Sequence, residues 1–165
     1  MAVFLVFILI LLFASVWLVK RDADSLGGAN DRFAPSGAIV LYSGVGGFVE
    51  VVGESNYQGG LQLARARAIT IDGRLKFWAT IEPENDNPHD ENAVVVKFGN
   101  EKLGYLRRGD AKTFRASHAG AVSQKVPIAV RALLTGGTKG KPTIGVMLDF
   151  WLDTEKTYKS SPVSL

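Results

Sequence analysis

At 165 residues the chain has room for one domain of ordinary size plus an appendage, and nothing in it points to two cores. Its 19 Lys and Arg against 16 Asp and Glu give a net charge of +3, which is compatible with nucleic-acid binding but far from a histone-like extreme. The absence of cysteine excludes a disulfide framework, a thiol nucleophile and any cysteine-based zinc site, and the two histidines, His89 and His118, leave little for a histidine-only metal site.

From Ala2 to Val19 every residue except Ser15 is apolar. As a helix this run is about 27 Å long at roughly 1.5 Å per residue, close to the hydrocarbon thickness of about 30 Å. A cleaved leader has a basic start and a small-residue cleavage site; here Met1 leads straight into the run and Trp17-Leu18-Val19 stands where the site would be. A core helix keeps a polar face, and this run has none. Residues 1–19 are therefore expected to form an uncleaved transmembrane helix in contact with membrane lipid. Lys20 and Arg21 flank it on the C-terminal side, so the positive-inside rule orients the globular part toward the cytoplasm in a single-pass arrangement.

Residues 20–47 shift to Asp, Ala, Ser, Gly and Asn, with Pro35 and a Gly44-Val45-Gly46-Gly47 end, and read as a flexible tether. Within it, Ile39 to Tyr42 is apolar enough to form a short strand or to dock on the domain.

Residues 48–152 carry period-two patterning, with Phe48, Glu50 and Val52 opposing Val49 and Val51, and Phe77, Ala79 and Ile81 opposing Trp78 and Thr80. Further strands are expected over 64–71, 94–98, 102–106, 128–134 and 144–152. Turn signals stand at Asp72-Gly73, Gly99-Asn100, Gly136-Gly137 and Lys141-Pro142. One helix is expected to start at Asp110 as its N-cap and to run to about His118. The fold class is mainly β with one or two short helices: a small OB- or SH3-like barrel, because closure removes exposed strand edges. Residues 153–165 read as a C-terminal tail.

The most informative stretch is Asn87-Pro88-His89-Asp90-Glu91-Asn92-Ala93-Val94, followed by Gly104-Tyr105-Leu106-Arg107-Arg108. Pro88 fixes its own φ and pushes Asn87 into an extended conformation, while Asp90 and Asn92 bond the local backbone. Asp90 reads as an Asx-turn residue, as a ligand contact, or as both; Asn92 as structural; His89 as a stacking ring, a pH-sensitive contact or an exposed turn residue. Of Tyr105 and Leu106, the leucine is the better core candidate. Arg107 and Arg108 end a strand near Lys102, Lys112 and Arg115, which together would make one basic face, extended by Arg65, Arg67, Arg74 and Lys76 if the barrel brings those strands around.

This order of residues resembles the HIRAN domain over roughly 48–152. The matching elements are Val52-Gly53 with Tyr57 and Gly59, Glu82-Pro83 before Asn87-Pro88-His89-Asp90 and Asn92-Ala93-Val94, Gly104-Tyr105-Leu106 with Arg107-Arg108, and Asp149-Phe150-Trp151. The resemblance implies a β-barrel that binds single-stranded DNA at a free 3′ end, with rings stacking on bases and Asp90 reading the terminal hydroxyl. His89 takes the place of the family's aromatic residue, Tyr57 matches the second of two tyrosines, and Tyr105 and Arg108 fall where ring-bearing or basic contacts occur. Ser55 and Asn56 stand where the DNA-end binder has an arginine and its first tyrosine, so one phosphate contact and one stacking platform are missing. Phe150 and Trp151 resemble the closing aromatic pair, with core packing as their role.

No nucleophile elbow, paired catalytic acids or phosphate-cradling loop is present, and the Gly44–Gly47 run lacks the Lys-Ser/Thr of a P-loop, so no enzyme, cofactor or metal is expected. The expected function is a non-catalytic, membrane-anchored nucleic-acid-binding module for single-stranded or end-bearing DNA, with contacts from Tyr57, His89, Asp90, Tyr105, Arg107 and Arg108. The alternative is a protein- or peptide-interaction module, with a protein partner at the cytoplasmic membrane face.

Overall fold

The structure, a computed structural model, describes residues 35, 37–42, 47–152 and 158–160, all within one compact unit, Ala34–Leu165. The membrane anchor expected over 1–19, much of the tether and most of the tail lie outside the described residues. Among the described residues no helix is long and apolar enough to cross a membrane.

Nine strands form one sheet: β1 (Ile39–Tyr42), β2 (Val49–Val52), β3 (Ile69–Ile71), β4 (Arg74–Pro83), β5 (Val94–Phe98), β6 (Glu101–Leu106), β7 (Ile128–Gly136), β8 (Ile144–Leu148) and β9 (Tyr158–Ser160). Their order is β3-β4-β5-β6-β2-β8-β7-β1-β9, and β4 also pairs with β7, so β4-β5-β6-β2-β8-β7 closes into a six-stranded barrel. The ten-residue β4 makes closure possible. One of its edges pairs with β3 over Arg74–Lys76 and with β5 over Thr80–Pro83, while the other pairs with β7 from Lys76 to Ile81.

β1 turns the ambiguous Ile39–Tyr42 stretch into sheet, running parallel to β7 and antiparallel to β9, so that strands flank residues 48–152 on both sides. β8 stops at Leu148, short of the expected Leu152: the Asp149 N–H bonds the Arg131 carbonyl at 2.7 Å and Phe150 turns into the core.

Helix α1 (Gln58–Arg67), entered through a 3-10 turn over Glu54–Tyr57, takes the first half of the strand expected over 64–71, of which Ile69–Ile71 forms β3. The alternating Ala-Arg-Ala-Arg-Ala imitates period two, but Leu61, Ala64 and Ala68, spaced at helical intervals, are the residues that reach the core. Gly60 permits the close approach, since a Cβ there would lie 2.6 Å from the Lys102 carbonyl oxygen. Helix α2 (Arg108–Ser117) starts two residues before Asp110, with Arg107 at the N-cap, so Asp110 sits in the first turn, where its charge suits the helix dipole. A short α3 (Ala119–Ser123) follows.

The main core cluster fills the barrel, plugged by Leu61 and Ala64 of α1 and by Ala111 and Phe114 of α2, and a smaller second cluster joins Ala38, Val40 and Ala129. Phe114 and Phe150 are fully buried and meet edge to face, with ring centroids 6.3 Å apart. Leu106 is buried and Tyr105 half-buried, as the alternation requires. Trp151 packs its ring over Gly47, where a Cβ would come within 2.6 Å of it.

Candidate nucleic-acid interface

The loop from β4 to β5 is held by its own polar side chains. Asn87 Oδ1 accepts the backbone N–H groups of His89 at 2.9 Å and Asp90 at 3.2 Å, and Asp90 Oδ1 accepts that of Asn92 at 2.9 Å. Arg115 reaches in from α2, donating to the carbonyls of Asn92 at 3.0 Å and Ala93 at 2.9 Å and to Asn85 Oδ1 at 2.9 Å. Asp90 is thus a turn residue. Its second oxygen faces Arg108 Nε at 3.4 Å, and Arg108 also donates to the His89 carbonyl at 3.2 Å. The His89 side chain is exposed.

At the foot of this loop Glu84 receives three donors: Lys102 Nζ at 2.6 Å, the Tyr105 hydroxyl at 2.8 Å and Asn87 Nδ2 at 2.7 Å. Bonding to Lys102 first, then to Asn87, outweighs desolvation and holds the Glu84 carboxyl down at about 2. The same bond to Glu84 raises the Lys102 ammonium. Burial first, then the bond to Glu84, pushes the Tyr105 phenol up to about 12. Tyr57, brought by the 3-10 turn, lies across from Tyr105 with ring centroids 6.0 Å apart and planes tilted by 59°.

Contacts therefore join five of the six residues expected from the sequence: Tyr57 to Tyr105, through Glu84 and Asn87 to His89 and Asp90, and on to Arg108. Arg107, the sixth, is tied to β2 instead, through an ion pair with Glu50. On that outer face of β2, Phe48 and Val52 are 41% and 37% exposed, and Val52 stands opposite Tyr105 in the ladder. Phe48 and Glu84 are not among the contacts expected from the sequence, and Lys102 and Arg115 are expected there only as members of a basic face. Phe48 carries the signal of an aromatic residue on the solvent side of an alternating strand, whereas Glu84 and Arg115 find their partners only through tertiary approach.

The electrostatics differ from the basic face expected there. Arg107, Arg108, Lys102 and Lys97 each face a carboxylate, from Glu50, Asp90, Glu84 and Glu82. Arg65, Arg67 and Arg74 lie elsewhere, on α1 and at the start of β4. The surface alternates charge around a pair of tyrosines. Among the described residues no cluster of three or more His, Asp or Glu is placed to hold a metal ion.

Among solved structures, the chain is similar to a crystal structure of a protein from Lactobacillus plantarum, at 18% identity and a TM-score of 0.41, covering 67% of this chain and 92% of that one. It is also similar to the crystal structure of the HIRAN domain of human HLTF, at 20% identity and a TM-score of 0.39, covering 73% of this chain and 84% of that one. No protein-family model and no curated protein matches the chain. Likenesses of this size bear on neither ligand nor activity.

Proposed function

We propose that this chain is a non-catalytic, HIRAN-type nucleic-acid-binding module that takes single-stranded or end-bearing DNA across the Tyr57–Tyr105 shelf, held at the membrane by residues 1–19 with its barrel in the cytoplasm. The observation that carries this reading is the run of contacts that gathers Tyr57, Tyr105, His89, Asp90 and Arg108 onto one surface. Rings at this shelf offer stacking faces for bases. Arg107 and Arg108 sit in exposed ion pairs, with 60% and 78% of their side chains open to solvent, and such pairs contribute only about 0–1 kcal/mol, so phosphates can displace the carboxylates. The chain grips Asp90 through one oxygen; the other is open to a terminal hydroxyl once Arg108 turns to phosphate.

The test is fluorescence anisotropy of the unit Ala34–Leu165 with single-stranded oligonucleotides bearing free or blocked 3′ ends, at two salt concentrations. The expected result is binding that weakens with salt and with end-blocking. Stacking is worth about 1–3 kcal/mol per base, so Tyr57→Ala is expected to weaken binding about 5- to 150-fold. Arg107→Gln, which removes one phosphate contact, is expected to reduce the log–log salt slope by about 0.7. Binding blind to the end removes the end-reading; none at low salt removes nucleic acid altogether.

A second reading, a peptide- or protein-binding groove, is favoured by the pairing of the basic residues at the shelf with carboxylates. It predicts a ligand whose affinity barely responds to salt.

A further inference from the structure

The outer face of β2 carries chemistry that the Tyr57–Tyr105 shelf does not use. Phe48, just ahead of the strand, and Glu50 and Val52 within it turn to solvent, while Gly47, Val49 and Val51 turn inward, so the three exposed side chains stand in one row. Val52 pairs with Tyr105 across the ladder, which joins one end of the row to the shelf. Phe48 lies four residues away, about 14 Å at roughly 3.4 Å per residue, and the Glu50–Arg107 ion pair stands between them.

Arg107 and Arg108 connect this row to the β4–β5 loop. Consecutive just past β6, they pair in opposite directions: Arg108 with Asp90 on the loop that enters β5, Arg107 with Glu50 on β2. β5 and β2 are the two neighbours of β6 in the sheet, so the two guanidinium groups bridge its width. A phosphate chain that leaves Asp90 along these arginines is led onto β2, where Phe48 offers a ring. A cation in an exposed ion pair with an aromatic face beyond it suits a single strand, which sets a phosphate on the cation and a base on the ring.

We propose, with the nucleic-acid reading of the shelf as premise, that Phe48 is a further base-stacking platform, taking a base on the 5′ side of the nucleotides held between Tyr105 and Asp90. The shelf holds the end of the strand, and Phe48 fixes how far upstream the strand is gripped. Val52, its apolar companion in the row, has no π-face, so a base gains from Phe48 what it does not gain from Val52. A protein partner gains from burying both.

The test is a cycle between Phe48→Ala and the bound strand. Full-length protein is titrated by fluorescence anisotropy with single-stranded oligonucleotides that carry one abasic position, moved stepwise from the 3′ end. Phe48→Ala is expected to weaken binding of the intact strand about 5- to 150-fold, as for one lost stack. One internal abasic position should cost the wild type the same factor and the variant nothing, whereas an abasic 3′ end should weaken both alike. Phe48→Trp should bind as the wild type does and Phe48→Leu should not, which separates stacking from apolar contact. The Phe48 side chain is exposed, so these variants should melt with the wild type. A wild-type profile with no sensitive position away from the 3′ end, or Phe48→Leu binding as tightly as the wild type, overturns the proposal. If Phe48→Ala binds every strand like the wild type while Tyr57→Ala binds weakly, the proposal falls and the shelf reading stands; if the wild type binds no strand, both fall.

Discussion

Glu84 concentrates the polar chemistry of the shelf in one carboxylate, and this gives the fold a defined acid response. Its folded-state value of about 2 lies below the ordinary 4.5, so the folded protein resists protonation more than the unfolded chain does. The stabilisation is complete above about pH 4.5 and fades as pH falls toward 2. Thermal melts across that window should show the wild type losing stability steadily, while Glu84→Gln starts lower at neutral pH and falls less. Tyr105 gives the mirror case: its phenol, raised to about 12, contributes stability below the ordinary 10.0 that is lost as pH climbs past it. Absorbance at the phenolate band should show a late-titrating component that Tyr105→Phe removes. The turn role of Asp90 was legible because its carboxylate bonds backbone two residues away, whereas Asn87 was placed in the turn through Pro88 alone and its bonds to the His89 and Asp90 amides appear only in the structure. Glu84 was not legible, because two of its partners stand 18 and 21 residues distant and meet it only when β4 and β6 are brought together through β5.

Among elements, β8 has the least conventional support. Its Ile144 and Val146 amides point away from β7 at a place where β2 has already left the ladder. Side chains take over there. Gln58 accepts the Ile144 N–H at 3.0 Å and donates to its carbonyl at 2.9 Å, and Glu54 accepts the Val146 N–H at 3.0 Å. The 3-10 turn and the start of α1 therefore stand in for a missing strand. Gln58→Ala leaves two backbone groups without these partners and is expected to cost about 1–3 kcal/mol, read as a lower denaturation midpoint at unchanged slope. β5 and β6 were readable almost to the residue, since a short apolar run and the Gly99-Asn100 turn agree. α1 was not, because an alternating Ala-Arg run fits both periods and only packing against Lys102 and Leu103 decides between them.

For the whole molecule, the sheet extends beyond the span that the HIRAN resemblance covers. Val40 and Leu41 of β1 are fully buried, and burying such side chains contributes about 1.5–3 kcal/mol each, a large share of the roughly 5–15 kcal/mol that holds a domain together. A fragment that starts at Gly47 should therefore melt about 10 °C or more below one that starts at Ala34, as calorimetry would show. The sequence left Ile39–Tyr42 open because four apolar residues fit a docked tether as well as a strand; only their register on Ile128–Val130 decides it. That register also has a mechanical consequence. β1 lies side by side with β7 and with β9, so a tug along its axis from the N-terminal side loads every rung of both ladders in shear at once instead of peeling them one by one. Force arriving from whatever holds the front of the chain thus meets the barrel at a rivet, not at a zip.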